Sequence, residues 1–166
     1  MTEQEFAAKY IIFAIKQAKE AEAFGFTRNA CCRNLKIAIS HYWQHKVIGH
    51  HGQISKAKIP RSKAALNLPL SECTVEHVMP QMEIVNRLMA MRPLTKARVI
   101  EFLINSHRVI LVTHEEHARL NASGLRSKMP SDWDGKDVFD RYAAIGIKLA
   151  TKKDASVAKR ITTQSR

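Results

Sequence analysis

The sequence predicts an α-rich α+β fold, in which a small strand–strand–helix core is flanked by N-terminal and C-terminal helices. The chain has 166 residues, of which 45% are hydrophobic and 25% are charged, which is ordinary for a globular protein of one domain. Apolar residues recur at helical spacing over most of the length. Only two short stretches, residues 73–79 and 108–113, have the apolar and β-branched character of strands.

The first half of the chain is predicted to be mainly helical. Thr2-x-x-Glu5 forms a capping box, which predicts that a first helix begins there and runs to about residue 24. A second helix is predicted over residues 28–47, and residues 49–69 read as a loop. Two further helices are predicted over residues 81–91 and 95–104, separated by Pro93.

The core is predicted from the order of elements after residue 70. A strand over residues 73–79 stops at Pro80, and the second strand follows over residues 108–113. Thr113-x-x-Glu116 is a second capping box, so a helix is expected to start there and run to about residue 121. A last helix is expected over residues 136–147.

These elements suggest four regions along the chain. They are a helical basic N-terminal region (1–70), a core with a helical insertion (71–125), a C-terminal helical extension (126–150) and a basic flexible tail (151–166). Three cysteines without a C-x-x-C motif predict reduced thiols rather than a disulfide framework.

The balance of charge predicts a polyanionic partner. Lys and Arg number 27 against 15 Asp and Glu, a formal charge of +12, and residues 28–65 contain no acid. A sustained positive surface releases counterions from a phosphate backbone, so DNA is the expected partner. No apolar run is long enough for a membrane span, and the first residues lack the basic segment of a secretory signal. We therefore expect a cytoplasmic protein without a membrane partner.

Ligand-type side chains are concentrated in two segments. The first contains Glu76-His77-x-x-Pro80, and the second contains His114, His117 and Asn121 in the predicted helix. His117 and Asn121 are four residues apart and share one helix face, so both side chains can reach a single ion. His114 stands three residues before His117 and is an alternative second ligand.

Taken together, these residues resemble the HNH, or ββα-metal, nuclease family over about residues 73–125. The resemblance implies a ββα-metal core, with His77 as general base and Glu76, His117 and Asn121 as ligands of one divalent ion. Mg²⁺ or Mn²⁺ is the first expectation, and Ni²⁺ or Zn²⁺ also fits the donors. The implied function is a metal-dependent DNA endonuclease that hydrolyses phosphodiester bonds, of a kind found in phages and mobile elements.

The sequence departs from the family pattern at one position. The Asn that orients the base normally stands nine residues before the helix His, and here that residue is Arg108. Asn105 or His107 could take the orienting role from a shifted register, or Arg108 could contact phosphate. A regular strand also points Glu76 and His77 to opposite faces, so a shared site requires a bend.

Arg61, Lys63 and Arg119 are further candidates for contacts with nucleic acid. Two other functions stay open: a non-catalytic nucleic-acid-binding protein with a degenerate HNH fold, and a basic protein-interaction or adaptor module. In both of these functions His77 and His117 would be ordinary, partly buried side chains. The long apolar helix faces also leave a homodimer open.

Overall fold

The computed structural model describes residues 1–49 and 59–151 and has the predicted α-rich α+β fold. The chain divides into two compact units. The helical unit comprises Met1–Ser55 and Gln81–His107, and the sheet unit comprises Lys56–Pro80 and Arg108–Arg166. The helices between the two strands therefore belong to the same unit as the N-terminal helices.

Helix α1 (Glu3–Ala23) begins at the predicted capping box. The backbone N–H of Glu5 donates to Thr2 Oγ1 at 3.2 Å, and the N–H of Thr2 donates to the Glu5 carboxylate at 2.7 Å. One face of the helix is fully apolar and buried, formed by Ala7, Ala8, Ile11, Ala14, Ile15 and Ala18. This face makes α1 the central helix of the unit.

The prediction of one continuous helix over residues 28–47 is wrong. The segment consists of α2 (Arg28–Cys31), α3 (Arg33–Ala38) and a π-helix (Ile39–Val47). The first break lies at Cys32, whose φ of −81° and ψ of 0° depart from helical geometry. The wider turns of the π-helix still bury Trp43.

Two helices of the insertion complete the helical unit. They are α4 (Gln81–Ala90) and α5 (Lys96–Ser106), and the side chain of Thr95 caps α5 by accepting from the Arg98 N–H. Both contribute buried residues, and α1 contacts both of them as well as the α2–π segment. The break between α4 and α5 lies near Pro93, as predicted.

The sheet unit contains the predicted strand–strand–helix order. Strands β1 (Cys73–His77) and β2 (Val109–Thr113) pair antiparallel, with Cys73 opposite Thr113 and His77 opposite Val109. Helix α6 (His114–Ala122) follows β2 directly and contacts both strands. Its capping box is the predicted one, because Thr113 and Glu116 exchange their two hydrogen bonds.

Each face of the two-stranded sheet is covered by its own apolar cluster. Ile110 and Val112 pack with Leu120 of α6 and with Val78, Tyr142 and Ile147. Val109 and Leu111 pack instead with Ile59, Leu70 and Val75. Residues 109–112 are therefore all buried, which explains why β2 reads as a continuous apolar run rather than an alternating one.

Backbone segments outside the two strands continue the hydrogen bonding of the sheet at the free edge of β2. The N–H of Ser62 donates to the Leu111 carbonyl at 2.9 Å, and the N–H of Leu111 donates to the Pro60 carbonyl at 2.8 Å. On the far side of this segment, the N–H of Ala150 donates to the Arg61 carbonyl at 2.9 Å. Part of the predicted loop thus covers an edge that would otherwise expose unpaired backbone groups.

The last predicted helix, over residues 136–147, is much shorter than expected. Only α7 (Asp140–Ala143) is helical. The Asp134 and Asp137 side chains accept from the backbone N–H groups of Lys136 and Phe139, both at 2.9 Å or less. Such local hydrogen bonds favour turns over helix at the start of the segment.

Residues 50–58, within the predicted loop, and residues 152–166, within the predicted tail, lie outside the described residues. In the part of the chain that is described, no helix combines the length and the apolar character needed to cross a membrane. Cys31, Cys32 and Cys73 are free thiols. Burial raises the pKa of Cys32 and of Cys73, which keeps both thiols protonated.

Candidate functional site

The two candidate metal ligands Glu76 and His117 contact each other in the sheet unit. Oε2 of Glu76 lies 2.9 Å from Nδ1 of His117. The side chains are 13% and 29% exposed, so the pair is largely buried but still reachable from solvent. A carboxylate oxygen and an imidazole nitrogen at this distance can share a hydrogen bond or accept a cation between them after a small adjustment.

The local fold explains why these two side chains meet. Glu76 is paired with Ile110, and the Ile110 side chain packs against Leu120 of α6. Paired residues share a face, so Glu76 is on the face of the sheet that α6 covers. Thr113 is the N-cap of α6, and His117 is the fourth residue of the helix. The capping box therefore determines which turn of α6 lies over the end of β1.

Arg141 holds Glu76 from the other side. Its guanidinium is completely buried, and Nη2 donates to Glu76 Oε1 at 2.7 Å. The same side chain donates to the backbone carbonyls of Val78, Leu125 and Arg126 at 2.8–3.1 Å. Because the three carbonyls belong to the backbone, they hold the guanidinium in place, and the guanidinium in turn orients the carboxylate. Its other oxygen, Oε2, then faces His117.

The backbone carbonyl of His77 is held by two donors. Arg141 Nη2 donates to it, and the Tyr142 hydroxyl donates to it at 2.9 Å. Tyr142 is buried, and burial raises its pKa to about 12. The phenol is thus a proton donor throughout the neutral range, and the end of β1 is fixed by adjacent residues of the C-terminal segment.

The strand register separates the candidate base from the candidate ligands. His77 is opposite Val109, which packs in the Ile59 cluster on the face away from α6. Glu76, one residue earlier, is on the α6 face. His77 therefore lies on the other side of the strand from the Glu76–His117 pair, within a half-buried strand.

The other candidate ligands lie on the exposed surface of α6. His114 and Asn121 are both exposed, three residues before and four residues after His117. This spacing places all three on one side of the helix. Within residues 1–49 and 59–151, however, no group of three His, Cys, Asp or Glu side chains is close enough to hold an ion. Asn121 is not one of these residue types, so the further ligands of an ion at Glu76 and His117 would come from Asn121, water or substrate oxygens.

The candidate orienting residues divide between the two units. Arg108 is exposed in the sheet unit, and its guanidinium lies over the Phe139 ring, 5.9 Å from the centroid. Asn105 is exposed on α5, and His107 is buried at the end of that helix, in the helical unit. The carbonyl of Arg108 accepts from the Val78 N–H at 2.8 Å, which continues the hairpin pairing.

The three cations predicted to bind nucleic acid have different surroundings. Arg61 is half-buried, and its Nη1 donates to the carbonyls of Ala65 and Leu68 at 2.8 and 2.7 Å. Lys63 is exposed. Arg119 is also exposed. It lies two positions after His117 and therefore on another side of α6. Together with other residues of α6, and with Glu72 from the segment before β1, it lines a cleft of about 520 Å³.

Two groups that support the site were missed by sequence reasoning. Arg141 and Tyr142 read as part of an ordinary helix, and nothing in their spacing relates them to residues 76–77. Glu116 was identified as a capping residue only. It is buried, and its Oε2 also accepts from the Ser62 hydroxyl at 2.6 Å, which ties the start of α6 to the segment beside β2.

Replacing the buried Arg141 should be far more destabilising than replacing the exposed Arg108. In Arg141→Met, the Glu76 carboxylate and several carbonyls lose their donor while staying buried. Removing one partner of such a group costs about 3–5 kcal/mol. Arg108→Met, the matched control, should cost less than about 1 kcal/mol. Urea unfolding of both variants measures the difference, and equal small losses would contradict the role given to Arg141.

The raised pKa of Tyr142 predicts a specific loss of stability in alkali. Below pH 10 the phenol is protonated in both the folded and the unfolded chain, and its contribution is complete. Between pH 10 and about 12 the unfolded chain ionises first, so the folded state loses about 2 kcal/mol. The wild type should therefore lose about that much more than Tyr142→Phe over this range, measured by urea unfolding. Parallel losses in the two proteins would contradict the assignment.

Comparisons with known proteins do not extend this description. No protein-family model matches the chain, and neither the curated proteins nor the solved structures give a significant match. The case for a function therefore rests on the residues and their geometry: the Glu76–His117 pair, the buried Arg141 and the strand–strand–helix order around them.

Proposed function

We propose that the chain is a metal-dependent DNA endonuclease of the HNH type. The observation that carries the proposal is the contact of 2.9 Å between Glu76 Oε2 and His117 Nδ1. The family resemblance alone predicted that Glu76 and His77, at the end of one strand, form a site with His117, early in the helix after the next strand. The ligand-type atoms of Glu76 and His117 do meet, although 41 residues separate them.

The donors fit a divalent ion that keeps part of its hydration shell. One carboxylate and one imidazole suit Mg²⁺ or Mn²⁺ with several water ligands, and the imidazole equally suits Ni²⁺ or Zn²⁺. The chemistry that such an ion supplies is charge stabilisation on the phosphoryl group and on the leaving oxygen. Arg141 supports this role because it holds Glu76 through Oε1 and leaves Oε2 for other partners.

His77 is the proposed general base. An imidazole takes a proton from water near neutral pH, and the two donors to the His77 carbonyl fix the backbone from which the ring projects. In an in-line displacement the attacking water and the leaving oxygen are on opposite sides of phosphorus. The register places His77 and the Glu76–His117 pair on opposite faces of β1, so this arrangement requires the end of β1 to bend until the His77 ring and the pair reach the same phosphate.

The orienting role that the family gives to Asn is proposed to belong here to Arg141 and Tyr142. Both donate to the His77 carbonyl from outside the motif segment. Arg108, which stands at the usual Asn position, would then be available for a different task. Its exposed guanidinium lies beside Phe139, where we propose that it binds a phosphate of the substrate.

One observation favours a second candidate, a non-catalytic nucleic-acid-binding protein with a degenerate HNH fold. Arg141 already neutralises Glu76 from within, so a divalent ion would share the carboxylate with a cation. An ion bound under these conditions would be held more weakly than by a free carboxylate. This candidate keeps the binding of DNA and lacks its cleavage.

Cleavage assays separate these two functions. Purified protein is incubated with plasmid and with single-stranded DNA in Mg²⁺, Mn²⁺, Ni²⁺, Zn²⁺ or EDTA. We expect metal-dependent cuts that fall at least about 100-fold in His77→Ala, His117→Ala and Glu76→Gln. Glu115→Gln, an exposed acid on another side of the same helix, is the matched control and should cut normally.

Cuts that persist at the wild-type rate in His77→Ala would remove His77 as the base. DNA binding without cuts in any of the four metals would support the non-catalytic candidate. The absence of both binding and cutting would leave a basic interaction or adaptor module as the remaining function.

A further inference from the structure

The helical unit exposes aromatic side chains in a continuous groove between α1 and the segment that contains α3 and the π-helix. Tyr10 and Tyr42 stack with ring centroids 4.7 Å apart, and Phe6 contacts both rings at 4.7 and 5.8 Å. Phe13 and Ile37 complete the apolar wall of a groove of about 180 Å³. We call this surface, formed by Tyr10, Phe13, Ile37 and Tyr42, the aromatic groove.

The large side chains of the aromatic groove are unusually open to solvent. Phe13 is 58% exposed, Ile37 is 51% exposed and Tyr10 is 39% exposed. Exposed apolar residues that occur singly need no explanation, but a continuous set on two adjacent helices marks a binding surface. Rings that already stack on each other also lose little conformational freedom when a further flat ring is added.

Exposed cations border the aromatic groove. Lys9 and Lys16 are four residues before and three residues after Phe13 on α1, so they are its neighbours on the helix surface. Arg33 has the same relation to Ile37, four residues before it on α3. All three are exposed. The groove therefore combines apolar rings with positive charge at its edges.

The helical unit as a whole is basic. It contains eleven Lys and Arg against six Asp and Glu, an excess of five positive charges. Two of its acids, Glu22 and Glu83, are paired with arginines of the same unit. The described residues of the sheet unit are nearly balanced, with nine Lys and Arg against eight Asp and Glu. The remaining positive charge of the sheet unit lies in residues 56–58 and 152–166, outside the described residues.

We propose that the aromatic groove binds single-stranded nucleic acid. Bases would stack on the exposed rings of Tyr10 and Phe13, with half-buried Tyr42 supporting Tyr10 from behind, and phosphates would lie against Lys9, Lys16 and Arg33. Stacking on aromatic side chains beside a positive surface is the usual way in which proteins bind single strands without sequence preference. This inference goes beyond the proposed function, because such binding requires neither a metal ion nor His77.

The charges favour this ligand over a second copy of the chain. A symmetric dimer through the aromatic groove would bring the same three cations of two copies together, and like charges across an interface are unfavourable. A duplex presents its phosphates outward and keeps its base faces stacked inside, so it offers no ring faces to Tyr10 and Phe13. A single strand offers both phosphates and free base faces.

The test measures binding of a fluorescent oligothymidylate to the full chain by anisotropy, in EDTA so that no cleavage occurs. Phe13→Ala should weaken binding at least about fivefold, because the base that stacks on this ring would lose its platform. Phe13 takes no part in the Tyr10–Tyr42 stack, so this variant should fold normally. Phe26→Ala, an aromatic residue that is 65% exposed outside the groove, is the matched control and should bind like the wild type.

A second variant tests the cations. The combined change Lys9→Gln, Lys16→Gln and Arg33→Gln should lower the slope of log Kd against log salt by about two. Wild-type affinity and slope in both groove variants would overturn the proposal, as would equal binding of a duplex of the same sequence. If Phe13→Ala instead changes only the sedimentation of the protein, the groove is an interface between copies and the proposal is wrong.

These outcomes are independent of the nuclease assignment. Loss of cutting in His77→Ala with unchanged oligothymidylate binding supports both proposals. Groove-dependent binding in a protein that never cuts would reject the nuclease and keep the binding surface.

Discussion

The buried guanidinium of Arg141 is the interaction on which the sheet unit depends. It lies entirely inside the protein and donates to Glu76, to the carbonyls of His77 and Val78, and to the chain just after α6. A buried cation is tolerated only when its donors are satisfied, so these groups must be assembled together. The same contacts orient Glu76 toward His117. The stability of the unit and the geometry of the candidate site therefore have one physical cause.

Sequence reasoning succeeded where the signal is local. The two capping boxes, at Thr2 and Thr113, predicted the starts of α1 and α6 because each uses side chains only three residues apart. The apolar run over residues 108–113 predicted the strand β2, and the structure shows that this strand is buried on both faces. The contact between Glu76 and His117 was expected from the family resemblance, and the local signal contributed only the start of α6, which determines where His117 lies on the helix.

Prediction failed where distant segments decide the structure. Arg141 lies 65 residues after Glu76, and no periodicity relates them. The pairing of Ser62 with Leu111 turns part of a predicted loop into a cover for the sheet edge, which depends on tertiary contacts alone. The shortened helix over residues 136–147 has a local cause instead: the side chains of Asp134 and Asp137 accept hydrogen bonds from nearby backbone N–H groups, and these bonds favour turns over a helix.

The central claim is that Glu76 and His117 hold a divalent ion. The most direct measurement is a titration of the protein with Mn²⁺ followed by NMR of the histidine side chains, since the paramagnetic ion broadens nuclei close to it. The account predicts that His117 broadens first at low Mn²⁺ and that Glu76→Gln abolishes this effect. Broadening of the surface pair His41 and His45, whose rings are 5.6 Å apart, before His117 and equally in Glu76→Gln would contradict it.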